Sequence, residues 1–220
     1  GADGLILLQM QEEAPGYFMK YYNSDGRQST FCGNGGRCFI SFAKELGVTS
    51  GEFCFLGTDG LHSGSLNEDG LIILSMNNVD EVEMIEPNAY VLNTGSPHFV
   101  TFVDTVDEVN VFEEGRSIRN SDRFKSDGIN VNFIESEGPG KIIIRTYERG
   151  VEDETFACGT GVVASAIANA VRYEDYSGVC SVQAKGGDLL VTFDRQGLHD
   201  FQNVKLIGPA EEVFEGSAVI

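Results

Sequence analysis

With 220 residues, 34 acidic side chains against 15 basic ones and a formal net charge of −19, the chain is too acidic to suit nucleic acid or an anionic membrane as partner. A hydrophobic share of 41% and a charged share of 22% suit a globular fold, and no apolar run approaches the ~20 residues that span a bilayer. Five cysteines without a Cys-x-x-Cys spacing, beside three histidines, exclude a small disulfide scaffold and a structural zinc site and point to a reducing, cytoplasmic setting.

In chain order, residues 5–10 and 17–23 read as strands, and Asn23-Ser24-Asp25-Gly26 as a turn. The opening Gly-Ala-Asp-Gly lacks the basic-then-apolar order of a signal peptide. From Gly36 onward Phe39, Phe42, Ala43 and Leu46 follow helical spacing, with Gly47 placed as a C-terminal cap. Residues 52–56, 61–66 and 71–76 predict a meander, punctuated by Thr58-Asp59-Gly60 and Asn67-Glu68-Asp69-Gly70. The acidic passage 80–87 reads as a linker. Beyond it come predicted strands at 90–93 and 99–103, a helix at 110–119, and strands at 129–135 and 141–147. An Ala-rich, apolar helix buried on most sides is predicted over 162–171, then strands at 179–184, 189–193 and 204–207 and a tail from Val213.

One motif occurs twice: Cys32-Gly33-Asn34-Gly35 and Cys158-Gly159-Thr160-Gly161, each opening a predicted helix. Glycines there let the backbone bend and leave its amides free to face a ligand. A thiol at a helix N-terminus is expected to drop from about 8.5 into the range of about 3.5–7.5. Taken singly, either cysteine reads as a buried structural residue, as Cys38, Cys54 and Cys180 do. Repetition of turn, thiol and helix argues for two opposed acid/base groups. Such a pair removes a proton from one face of a carbon and delivers one to the other. The amides of Gly33, Asn34, Gly159 and Thr160 would form a seat for a carboxylate, unless water or the Asn34 and Thr160 side chains cap them. Arg149 suits bidentate grip of a carboxylate, and Glu148 suits proton transfer or an ammonium group. His98, after a turn proline, is weaker evidence on its own. No Walker loop or dinucleotide fingerprint is present, so no cofactor and no metal are predicted.

Asn23-Ser24-Asp25-Gly26 before Cys32-Gly33-Asn34-Gly35-Gly36-Arg37-Cys38, and Glu148-Arg149-Gly150 before Ala157-Cys158-Gly159-Thr160-Gly161, together resemble the diaminopimelate epimerase family. Gly1-Ala2-Asp3-Gly4-Leu5, Gly95-Ser96-Pro97-His98, Asn130-Val131-Asn132-Phe133 and the Gly208-Pro209-Ala210 ending add to the likeness. The resemblance implies an α+β fold of two pseudo-symmetric lobes, each a curled, mostly antiparallel sheet around a central helix, with the active site in the cleft between them. Residues 1–82 would form the first lobe, completed by 209–220, and 83–208 the second. Family members carry a preceding strand, so part of the first lobe would lie outside this sequence. The implied reaction interconverts L,L- and meso-diaminopimelate without metal or coenzyme, in lysine and peptidoglycan precursor synthesis. Cys32 and Cys158 would be the acid/base pair, assisted by His98 and Glu148. Gly33, Asn34, Gly159 and Thr160 would bind the reacting carboxylate. Asn23, Ser96, Asn130, Glu148 and Arg149 would hold the rest of the substrate, Ser96 standing where many relatives have Asn. A homodimer is implied, with Phe214 near its interface. The alternatives are a racemase of proline or another amino acid from the same superfamily, and a non-catalytic thiol switch.

Overall fold

Among residues 4–23, 26–28, 31–49 and 51–217, which the computed structural model describes, fourteen strands join into one sheet. The first series is β1 (Gly4–Met10), β2 (Tyr17–Asn23), β3 (Phe53–Gly57), β4 (Gly60–Leu66) and β5 (Ile72–Ser75), with α1 (Gly33–Glu45) between β2 and β3. Next come β6 (Val82–Glu86), β7 (Ala89–Asn93), β8 (Pro97–Phe102), a short 3-10 turn (Val106–Glu108) and α2 (Val111–Arg119). Strands β9 (Asn130–Ser136), β10 (Lys141–Glu148) and β11 (Asp153–Thr155) lead to α3 (Gly159–Arg172). The chain then forms β12 (Val179–Ala184), β13 (Gly187–Arg195) and β14 (Phe201–Gly208).

The pairing repeats. β1–β2 is antiparallel, β2–β3 parallel across α1, and β3–β4 and β4–β5 antiparallel. Likewise β9–β10 is antiparallel, β10–β12 parallel across α3, and β12–β13 and β13–β14 antiparallel. A parallel pair needs a crossover, and in both series that crossover contains the helix opened by Cys-Gly-x-Gly. The last strands of the two series, β5 and β14, pair antiparallel with each other. An antiparallel join between equivalent strands is what a local twofold relation produces.

Packing explains the helices. In α1, Phe39, Ile40 and Ala43 are buried while Phe42 and the C-cap Leu46 face out, an amphipathic helix lying on its own strands. Every residue of α3 from Gly159 to Ala170 is buried, which its small apolar side chains allow. Phe39, Phe55 and Leu74 share one core with Val163, Ile167, Val191 and Leu206, so the two series are packed together by apolar burial. A smaller cluster of Val111, Ile129, Phe133 and Tyr147 lies under α2.

Several expectations are corrected. The acidic stretch taken as a linker contains β6: Val82 points inward while Glu81 and Glu83 face solvent, the charged habit of an edge strand. α1 begins at Gly33, not Gly36. The short β11, paired with β10, was not foreseen in its acidic surroundings. Cys38 and Cys54 are exposed, because they fall on the outer face of α1 and an outward position of β3; only Cys180 of those three is buried. Ser24 and Asp25 of the expected turn, Gly1-Ala2-Asp3 of the family likeness, and 218–220 of the tail lie outside the described residues. No helix of the described residues is long and apolar enough to cross a membrane.

Candidate active site

Cys32 and Cys158 occupy the same position in the two series, each the N-cap of its helix, with φ/ψ of −114/119 and −111/109. Each carbonyl accepts the first intrahelical bond, from Gly36 and Val162, both at 2.8 Å. The amides of Asn34 and Gly35 bear on the Cys32 sulfur as that of Gly161 bears on Cys158. The helix starts meet. A Cβ on Gly159 would lie 3.0 Å from the Gly33 Cα, and one on Gly33 would lie 3.2 Å from the Gly159 Cα. Only residues without a side chain allow this approach.

Electrostatics run against the expected low thiol pKa, and that expectation is corrected. Burial pushes the Cys158 thiol up to about 12; the Glu148 carboxylate and, least of all, Cys32 add to this, while the Thr160 hydroxyl and the Gly161 amide oppose it. Burial also raises Cys32; Glu148 adds to this, while the Gly35 and Asn34 amides and the Arg37 guanidinium oppose it. Desolvation of the thiolate outweighs the helix N-terminus. Because charge on Cys32 raises Cys158, ionising one thiol disfavours ionising the other.

Around the thiols, His98 on β8 is fully buried, with Nε2 2.9 Å from Thr160 Oγ1 and Nδ1 3.1 Å from Asn132 Nδ2. Its link to Cys158 runs through the Thr160 hydroxyl, 3.5 Å from the sulfur. Burial, with the Arg149 charge second, depresses His98 from 6.5 to about 3, so the ring is neutral at working pH. The unfolded chain takes up a proton near 6.5 that the folded chain refuses, so this contribution is complete above pH 6.5 and is lost as pH falls toward 3. On going from pH 6.5 to 4.5 it should remove about 2–3 kcal/mol from the urea unfolding free energy, at about 1.36 kcal/mol per pH unit. His98→Gln should lack that slope; an identical pH dependence in both proteins would refute it.

Ser96, Asn130 and Arg149 come together from the β7–β8 turn, β9 and the end of β10. Asn130 Nδ2 donates to Ser96 Oγ at 2.8 Å, its Oδ1 accepts the Arg149 amide at 2.9 Å, and Arg149 Nη2 lies 3.4 Å from Ser96 Oγ. Arg149 Nη1 also donates to the Asp127 carbonyl at 3.0 Å. Glu148 accepts from Thr155 Oγ1 at 3.0 Å. The side chain of Asn34 does not cap its own helix: Nδ2 donates 2.7 Å to the Ala157 carbonyl, tying the α1 start to the residue before Cys158. Asn23 ends β2, where its backbone closes a turn with Gly26 and Arg27. Phe214 is exposed, beyond β14. Among the described residues, no group of three or more His, Cys, Asp or Glu is placed to hold a metal ion. A cavity of about 500 Å³ lined by Tyr176, Phe193, Arg195 and Lys205 lies by the segment that follows α3.

Sequence reading passed over Thr94, Asn132 and Thr146. Thr94 Oγ1 donates to the Thr160 carbonyl at 2.9 Å, and Thr146 Oγ1 to Asn132 Oδ1 at 3.0 Å. The signal was present in Asn130-Val131-Asn132, where alternate polar residues share one face of a strand that proves buried on both.

A family model described as diaminopimelate epimerase matches residues 90–212. A protein of Flavobacterium psychrophilum named diaminopimelate epimerase is 48% identical over 98% of this chain and 83% of its own length. One of the same name from Chlorobaculum tepidum is 37% identical over 100% of this chain and 86% of its own. Among solved structures, a PhzF-family phenazine biosynthesis protein of Bacillus anthracis superposes with TM-score 0.72 at 13% identity, covering 94% of this chain and 81% of that one. A probable proline racemase of Agrobacterium radiobacter K84 gives TM-score 0.67 at 13% identity, covering 93% and 72%. At that identity the two structures speak for the fold alone.

Proposed function

Because the chain belongs to the diaminopimelate epimerase family, we propose that it interconverts L,L- and meso-diaminopimelate by proton transfer between Cys32, the substrate α-carbon and Cys158. The enzyme is an isomerase of lysine biosynthesis. The observation that carries the two-thiol reading is the contact of the two helix starts, each capped by one of these cysteines.

One cysteine acts as thiolate and takes the α-proton; the other, as thiol, gives its proton to the opposite face and is left as thiolate. Charge and protons balance, and the enzyme emerges in the mirror protonation state, ready for the reverse substrate. Mutual repulsion disfavours a second thiolate once one has formed. The amides of Gly33, Asn34, Gly159 and Thr160 stabilise charge that moves onto the carboxylate as the α-proton leaves. Glu148, whose charge is felt by both sulfurs, faces the substrate ammonium. The Ser96–Asn130–Arg149 group, with Asn23, holds the distal amino-acid end, a need that a monocarboxylic substrate would not have. His98 assists from behind Thr160. In this reading 1–82 with 209–220 and 83–208 are the two lobes, and the protein is a cytoplasmic homodimer with Phe214 at its interface.

Purified protein given L,L-diaminopimelate in D₂O should form the meso isomer with deuterium at the inverted α-carbon. Turnover of proline with none of diaminopimelate would replace this reading by the racemase.

A further inference from the structure

The hydrogen bonds behind Cys158 have a direction. Asn132 is completely buried, and its amide nitrogen lies 3.0 Å from the Phe99 carbonyl and 3.1 Å from His98 Nδ1. A carbonyl cannot donate, so the group facing Phe99 must be the amide NH₂, and Oδ1 then accepts from Thr146 Oγ1 at 3.0 Å. The same NH₂ meets His98 Nδ1, which must therefore accept, and the ring proton sits on Nε2. Nε2–H donates to Thr160 Oγ1 at 2.9 Å. A hydroxyl has one proton, and with this lone pair occupied the Thr160 proton is free to point at Cys158 Sγ, 3.5 Å away.

Two further observations give the chain a purpose. Gly161, last residue of the second motif, lies so near Asn132 Oδ1 that a Cβ there would collide with it; the glycine makes room for this amide. The first motif has no counterpart. A Cβ on Gly35 would meet Met19 and Ile6 side chains, and Asn34, in the place of Thr160, turns to Ala157. Among the described residues, the directed O–H donor serves Cys158 alone.

We propose that Asn132 is a positioning residue for proton transfer at Cys158: held by Thr146 and Phe99, it keeps His98 in the Nε2–H form and so aims the Thr160 hydroxyl at the sulfur. Its consequence for turnover rests on the two-thiol reading, whereas the tautomer does not. The groups bearing on the relay are Arg149, which acts on His98, and Glu148 and Cys32, which act on Cys158. None of them supplies the hydroxyl proton.

The test is nitrogen NMR of protein labelled with ¹⁵N-histidine, in which only three histidines contribute and His98→Gln assigns the signal. Expected is a neutral ring protonated on Nε2; an Nδ1–H ring in the unaltered protein overturns the proposal outright. In Asn132→Asp the carboxylate should draw the ring proton to Nδ1, and Nε2 would then accept the Thr160 proton. The pH profile of iodoacetamide labelling at Cys158, read by peptide mass, should move upward. Epimerisation kcat should fall by about 10- to 100-fold, the worth of one hydrogen bond to a charged atom, with KM little changed. A flipped tautomer with an unmoved Cys158 profile would also overturn it. Should Asn132→Asp fail to fold, Thr160→Val must give the same upward shift in labelling, and an unchanged profile there is equally fatal. Tautomer and labelling are read without substrate, so absence of diaminopimelate turnover would sink the functional reading and leave these results standing.

Discussion

Cys32→Ala and Cys158→Ala are each expected to lower epimerisation by roughly 10⁴-fold, the upper range for loss of a positioned acid or base. The two should differ from an ordinary inactive variant. With one sulfur left, proton removal survives on one face only, so slow exchange of the α-proton with retention should persist while inversion is lost. Stereoisomer analysis of the product beside its deuterium content distinguishes the two. Neither change should unfold the chain, because both side chains are small and each helix keeps its first backbone bond, donated by Gly36 to the carbonyl of residue 32 and by Val162 to that of residue 158. Inversion near the unaltered rate in either variant would remove the two-thiol mechanism.

Gly159→Ala should also be damaging, by a smaller factor, without touching a reacting group. The new methyl would lie 3.0 Å from Gly33 Cα, 3.1 Å from Leu206 Cδ2 and 3.2 Å from the Gly33 carbonyl carbon. Backbone on the opposing helix start cannot swing aside as a flexible side chain would. The two helices must separate by some fraction of an ångström, carrying the sulfurs and their amides with them. Misplacement on the order of 1 Å costs about 100-fold in rate, so kcat/KM should fall by that order while circular dichroism stays unchanged. Gly51→Ala, with nothing within 4 Å of its added methyl, is the control and should be silent. An active Gly159→Ala protein would mean that contact of the helix starts is not required for catalysis.

Much of the architecture was legible because its signals are local. Strand β2 and the helical spacing of Phe39 and Ala43 are properties of short windows, and structure and sequence agree on them. Where charge masks alternation the reading failed, as in β6, whose inward Val82 is set among acidic residues. The exposed Cys38 and Cys54 failed for a different reason: a small thiol carries too little apolar area to indicate which face it occupies. At the candidate site the doubled Cys-Gly-x-Gly was plain, and so were Glu148 and Arg149. Thr94, Asn132 and Thr146 were not, since a buried polar residue looks like an exposed one until its partner is known.

By itself the sequence determined the two thiol turns, the apolar α3 and the family to which the chain belongs, all carried by residues adjacent in the chain. Tertiary structure alone decided that Gly33 meets Gly159, that Asn34 reaches Ala157, and that Asn132 directs His98. It also decided that the thiols sit above, rather than below, their ordinary range. A helix N-terminus is a local feature, but desolvation depends on everything folded around it, and here the surroundings outweigh the turn.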